Sequence, residues 1–204
     1  MFKKNLPILI AATLILGACG GKETEETIIA APELIENLAP AAGVTSAAKF
    51  SNPAGDPIGN VVVTGGPNGV LIRVDLTGLS RGWHGIHLHQ TGNCADGPAG
   101  FKASGGHINP DQNKHGLVNP DGYERADIPN IYAGADGRAT AEIFVATLRV
   151  NALEENAASV GPGGILLDDD GFAIIIHANP DDHATQPIGG AGTRVACAGI
   201  KGTD

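Results

Sequence analysis

The 204-residue chain carries 22 acidic against 13 basic side chains, a formal net charge of −9, which argues against nucleic acid or an anionic membrane surface as a partner. Once an export leader is set aside, the remaining length is enough for one hydrophobic core and not for two. Thirty glycines and thirteen prolines suit a fold whose working parts are loops.

Lys3 and Lys4, ahead of the apolar run 6–16, form a secretory signal, and that run is too short to cross a bilayer. Leu16-Gly17-Ala18-Cys19 has the form of a bacterial lipobox. On that reading residues 1–18 are a signal peptide removed before Cys19, and lipid on Cys19 anchors the protein to a membrane, in the bacterial periplasm or at the cell surface. An ordinary signal with a coincidental cysteine is the competing reading. Loss of Lys3 and Lys4 takes the formal charge from −9 to −11. Residues 19–43, with Glu23, Glu25 and Glu26 beside a single lysine, Lys22, read as a flexible acidic tether, and residues 44–204 as one folded domain.

Within the domain, Val61-Val62-Val63, the turn signal Gly65-Gly66-Pro67-Asn68-Gly69 and the run 70–76 predict strand, turn and strand. Val70, Ile72, Val74 and Leu76 alternate with Leu71, Arg73 and Asp75. Residues 139–145, 172–177 and 194–200 predict further strands, and no long stretch has clean helical periodicity, so the domain is expected to be all-β. Two polar, Gly- and Pro-rich stretches, 90–138 and 178–193, have the length of functional loops.

In His84-Gly85-Ile86-His87-Leu88-His89, strand alternation puts His87 and His89 on one face and Ile86 and Leu88 on the other, toward a core. His84 has the wrong parity to join the pair and is expected to be a hydrogen-bonded structural residue. His107, His115, Asp127 and His177 complete a set of five histidines and an aspartate, enough for two metal sites. Imidazole favours copper or zinc over calcium or magnesium, and one ring can bridge two ions through its two nitrogens.

From about Ala47 to Lys201 these blocks, in this order, resemble the copper/zinc superoxide dismutases. The resemblance runs through Gly82-Trp83-His84-Gly85-Ile86-His87-Leu88-His89, Gly105-Gly106-His107, Lys114-His115-Gly116, Asp127-Ile128-Pro129-Asn130, Ile176-His177-Ala178 and Gly190-Ala191-Gly192-Thr193-Arg194-Val195-Ala196-Cys197. It implies a flattened eight-stranded Greek-key β-barrel, an immunoglobulin-like sandwich with two long functional loops, of which these dismutases are themselves a standard example. It further implies dismutation of superoxide to oxygen and hydrogen peroxide. Copper would be held by His87, His89, His107 and His177 and zinc by His107, His115 and Asp127, with His107 bridging the two and carrying a proton to the substrate. Arg194 matches the arginine that docks the anion, and Asp181 the aspartate that links a copper histidine to a zinc histidine, here His87 to His115. Cys94 and Cys197, the cysteines left beside Cys19, are expected to form a disulfide in an oxidising compartment, and the resemblance favours that bond over two buried thiols.

The resemblance breaks at one ligand. Where the family has its third zinc histidine, this chain has Glu124. A carboxylate can bind zinc, which keeps Glu124 as a candidate fourth ligand. The alternatives are a copper-only dismutase, with Glu124 paired to Arg125 or Arg138, or a copper-binding or copper-delivery lipoprotein without activity. Arg194 argues against the last, since storage has no need of an anion-docking charge. His183 reads as an exposed loop histidine and Asp182 as solvated. The stretch 178–193 holds no Lys or Arg, so attraction of superoxide falls to Arg194, the metals and Lys102 or Lys114. The sequence leaves a homodimer open.

Overall fold

Alternating apolar residues and closely spaced turn signals build the domain from antiparallel pairs. The computed structural model describes residues 45–152 and 157–202. Its strands are β1 (Thr45–Ser51), β2 (Pro57–Gly66), β3 (Gly69–Leu76), β4 (Gly82–His84), β5 (Ile86–His89), β6 (Ile131–Ala133), β7 (Ala139–Val145), β8 (Phe172–His177) and β9 (Arg194–Ile200). Among the described residues there is no α-helix, only short 3₁₀ turns at Gly97–Ala99, Lys102–Ser104 and Ala157–Val160. The expected signal segment and acidic tether, with Cys19, lie outside the described residues.

Seven strands form one curled sheet in the order β5-β8-β9-β1-β2-β3-β7, and β4 pairs with β6. β4 and β5 are one chain segment interrupted at Gly85. β6 turns into β7 through residues 134–138, where Gly134 N–H donates to Arg138 O (2.8 Å). The pairings therefore run around the molecule and return to segment 82–89, so that eight chain segments enclose the core, as the expected barrel requires.

The β2–β3 hairpin turns at Pro67 and Asn68, with Gly66 opposite Gly69, where the turn signal placed it. Val70, Ile72, Val74 and Leu76 point inward with Val61 and Val63 and meet Ile86, Leu88, Ile174, Ile176, Ala198 and Ile200 in one buried cluster. Each such aliphatic side chain contributes roughly 1.5–3 kcal/mol when fully buried. β8 is buried along its whole length, because its other face, Ala173 and Ile175, is covered by Phe101 and Cys197. His177 continues that second face.

The stretch 90–138, expected as a single loop, contains β6. Only Ile131 and Ala133 of that strand turn inward, a run too short to register as alternation in the sequence. β1 also escaped the pattern: its one large apolar residue, Phe50, is fully buried, but Thr45-Ser46-Ala47-Ala48-Lys49 ahead of it carries no strong strand signal.

Candidate metal centre

β5 sends Ile86 and Leu88 into the core and leaves His87 and His89 on the opposite face. After His89 the chain turns back along the same strand. Gln90 N–H donates to Gly106 O (3.0 Å), Ile108 N–H to Leu88 O (3.0 Å) and Leu88 N–H to Ala126 O (3.3 Å). This places His107 opposite His89 and Asp127 opposite His87. His177 arrives at the end of β8, its N–H donating to Gly85 O (2.8 Å). The His87 ring centroid lies 4.3 Å from that of His107 and 4.8 Å from that of His177, and His89 lies 5.1 Å from His107.

The partners of these rings decide which nitrogen carries hydrogen. His89 Nδ1–H donates to Gly105 O (2.9 Å), His177 Nδ1–H to Gly192 O (3.1 Å) and His87 Nε2–H to Asp181 Oδ2 (2.8 Å). The remaining nitrogens, His87 Nδ1, His89 Nε2 and His177 Nε2, are buried without a hydrogen-bond partner, and so is His107 Nε2. The ligating atoms of His87, His107 and His177 come within 4.8 Å of one another. Burial keeps His87, His89 and His177 neutral. It pushes the His89 pKa down to about 2, aided by His107 and Arg194, and that of His177 down to about 3, aided by His87. His87 is lowered for the same reason. Buried lone pairs without partners carry a desolvation penalty that a transition metal removes, and an all-imidazole set suits copper.

A second cluster shares His107. Ligating atoms of His107, His115, Glu124 and Asp127 also lie within 4.8 Å of one another. Glu124 Oε2 is 2.5 Å from His107 Nδ1 and 3.5 Å from His115 Nδ1, while its Oε1 accepts from Asn109 Nδ2 (2.9 Å). Asp127 Oδ2 accepts from Gly116 N–H (2.7 Å) and Glu124 N–H (2.9 Å). Its Oδ1 lies 2.7 Å from His115 Nδ1 at an angle that makes no hydrogen bond. Glu124 is not paired with either candidate arginine: Arg125 is taken by Asp111 (2.6 Å) and Arg138 by Asp75 (3.0 Å). Burial opposes charge on Glu124, but His107 and His115 bring its pKa down to about 2. Burial also opposes charge on His115, yet the carboxylates of Asp127, Asp181 and Glu124 raise it to about 11. The cluster is electrostatically a cation site, and two imidazoles with two carboxylates form a donor set that zinc accepts.

Asp181 joins the two clusters. Its Oδ2 accepts from His87 and its Oδ1 from His115 Nε2–H (3.1 Å), and these contacts hold its pKa well below the usual carboxylate range despite burial. Asn130 fixes the Asp181 backbone in both directions, accepting its N–H (2.9 Å) and donating to its carbonyl (2.8 Å). Gly189, at φ +60°, leaves the space Asp181 needs, since a Cβ there would meet Oδ1 at 1.6 Å. His183 is not the exposed loop residue expected. It is only partly exposed, its N–H donates to Asp181 Oδ1 (2.7 Å) and its Nε2 accepts from Asn130 Nδ2–H (3.2 Å). His84 lies between the carbonyls of His177 (2.7 Å) and Ser80 (2.8 Å), a structural position as expected.

By simple alternation Arg194 would share the inward face of Ala196, Ala198 and Ile200. The register slips first: Ile176 faces Ala196 but His177 faces Arg194, leaving Val195 as an extra residue. This bulge returns Arg194 to the metal face. There Nη1–H donates to Phe101 O (2.7 Å) and Ser104 Oγ (3.0 Å), and Nη2–H to Gly105 O (3.0 Å). Gly105 O thus receives both Arg194 and His89. The expected Cys94–Cys197 disulfide pins the same loop to β9, with Cα atoms 5.8 Å apart. Nothing in the residue pattern points to Gly105 O or Gly192 O, because backbone acceptors have no residue signature. Asn109 and Asn130 had only their closeness in the chain to His107 and Asp127 to mark them.

The copper/zinc superoxide dismutase family model matches residues 58–200. A protein named superoxide dismutase [Cu-Zn] from Caulobacter vibrioides is 49% identical over 150 residues, covering 72% of this chain and 80% of that protein. Another, from Aquifex aeolicus, is 34% identical over 155 residues, covering 76% and 85%. Among solved structures, a SOD-like protein from Bacillus subtilis superposes with a TM-score of 0.68 at 29% identity, covering 76% of this chain and 97% of that one. Agreement of this extent in sequence and in backbone establishes common descent: the chain belongs to the copper/zinc superoxide dismutase family.

Proposed function

We propose that the domain converts superoxide to oxygen and hydrogen peroxide, with copper held by His87, His89, His107 and His177 and zinc by His107, His115, Glu124 and Asp127. The observation that carries this reading is the set of four buried imidazole nitrogens without hydrogen-bond partners on the face to which Arg194 is returned. The names of the Caulobacter and Aquifex relatives support it. When bound, copper supplies the one-electron exchange by which one superoxide is oxidised to oxygen and a second, with two protons, is reduced to hydrogen peroxide.

The chain's own residues do the rest. Arg194, clamped by three hydrogen bonds, presents a fixed charge and its remaining N–H groups to a small anion. His107 can hold a proton at Nε2 while Nδ1 stays anchored beside Glu124, so the ring keeps its aim as the proton passes. Asp181 takes the Nε2–H of both His87 and His115, which reserves their Nδ1 atoms for metal. Export with lipid on Cys19 belongs to the same reading, and the Cys94–Cys197 bond supports an oxidising compartment such as the bacterial periplasm or cell surface.

The test is to measure bound copper and zinc in the purified protein alongside its rate of superoxide consumption. Stoichiometric copper with rapid consumption is expected. Stoichiometric copper without consumption would overturn the enzymatic reading in favour of copper carriage.

A further inference from the structure

Asp96 lies two residues after Cys94, in the loop that clamps Arg194. Its Oδ2 accepts from Ala103 N–H (3.0 Å), and its backbone carbonyl accepts from Ala99 N–H (2.8 Å) and Phe101 N–H (3.2 Å). These bonds gather residues 99–103 around the 3₁₀ turn Lys102–Ser104. That stretch and the two residues after it supply the acceptors that Arg194 uses, Phe101 O, Ser104 Oγ and Gly105 O.

Two observations mark this loop as held and not relaxed. Phe101 has a left-handed backbone, φ 55°, which is uncommon for a bulky residue and persists only where the surroundings enforce it. Its ring is buried, and its carbonyl is the shortest contact of Arg194 at 2.7 Å. Asp96 Oδ1, in turn, is buried with no donor, an arrangement that costs free energy unless positive charge lies near.

We infer that Asp96 is a positioning residue for Arg194: its carboxylate, through Ala103 N–H, holds turn 101–105 in the conformation that faces all three acceptors toward the guanidinium. Without that bond Phe101 returns toward negative φ, its carbonyl turns away and Arg194 gains rotameric freedom. The loss falls on anion docking and, through Gly105 O, on the aim of His89, and leaves the zinc cluster untouched. The inference rests on the docking role proposed for Arg194.

The test uses the copper- and zinc-loaded protein and azide as a small monoanionic probe, its affinity read from the visible spectrum, together with metal content and the superoxide rate. Asp96→Ala removes the acceptor, Asp96→Glu displaces it by one methylene, and Asp96→Asn keeps a carbonyl oxygen in place without the charge. Asp96→Ala and Asp96→Glu are expected to weaken azide by roughly fivefold to tenfold with zinc retained, while Asp96→Asn stays within about twofold of the parent. Unchanged azide affinity in the alanine and glutamate variants, or an asparagine variant as impaired as alanine, would overturn the inference. Arg194→Ala is measured in parallel. If it leaves azide affinity unchanged, the docking role itself fails; if it weakens azide while Asp96→Ala does not, only the role of Asp96 fails.

Discussion

At Glu124 a carboxylate stands where the family resemblance asks for an imidazole, and it is aimed by two contacts, Asn109 on one oxygen and His107 on the other. Zinc there would be met by two carboxylates and two imidazoles, a more anionic set than the family pattern provides. Glu124→Gln is therefore expected to weaken zinc by roughly 100-fold or more, since even an outer partner of a metal ligand typically accounts for 10–100-fold, while copper stays bound. Competitive zinc titration with a chelator checks this, and unchanged affinity would remove Glu124 from the site. In the proposed function Arg194 acts on the substrate and not on the metal. Arg194→Ala should retain copper, lower the second-order rate by roughly tenfold or more, the scale of losing a charge-assisted contact of about 1.5–3 kcal/mol, and flatten its salt dependence. Loss of copper in that variant would contradict the docking role. At this scale the sequence was most informative about the side chains proposed as ligands: His87, His89, His107, His115, Asp127 and His177 could be picked out by type and spacing. It was least informative about what aims them, because Gly105 O and Gly192 O are backbone atoms and His183 revealed its contact with Asp181 only in three dimensions.

Among the elements, strand alternation was legible wherever both faces differ, as in β3, and in β5, where parity alone separated His87 and His89 from Ile86 and Leu88. It failed at β6, too short to show a period, and it would have turned Arg194 inward, because an extra residue at Val195 is invisible to a rule of period two. The loops gain their order from outside themselves. Residues 106–108 borrow the edge of β5, and the Cys94–Cys197 bond ties the loop that clamps Arg194 to β9 across a sequence separation of 103. Reduction of that bond, or Cys94→Ser, should lower the stability of the metal-loaded domain by about 2–4 kcal/mol, against the roughly 4.7 kcal/mol of the chain-entropy model for a loop of about 100 residues. Denaturant melts with and without reductant read the difference. The superoxide rate should fall with it while copper is retained, because the acceptors of Arg194 lie on the loop released; an unchanged rate in the reduced, folded protein would separate the clamp from the disulfide.

For the whole molecule the charge runs against the substrate. The chain carries −9, or −11 with the proposed signal removed, and either repels superoxide at long range, but at physiological salt the Debye length is about 8 Å, so the field within the loop around Arg194 matters more than the total. Lys114 adds little, being exposed and paired with Asp121 at 3.6 Å. The active residues all lie far along the chain from the proposed anchor, so Cys19→Ser should yield a protein that leaves the membrane fraction with its rate intact. Persistence in the membrane fraction would contradict lipidation at Cys19. The central claim is that one imidazole, His107, is shared by two unlike metal sites, the second completed by a glutamate. Diffraction from the loaded protein at the copper and zinc absorption edges tests it most directly. The account predicts copper bounded by His87 Nδ1 and the Nε2 atoms of His89, His107 and His177, and zinc about 2.0–2.2 Å from His107, His115, Glu124 and Asp127. Zinc absent, or bound with Glu124 turned away, would contradict it.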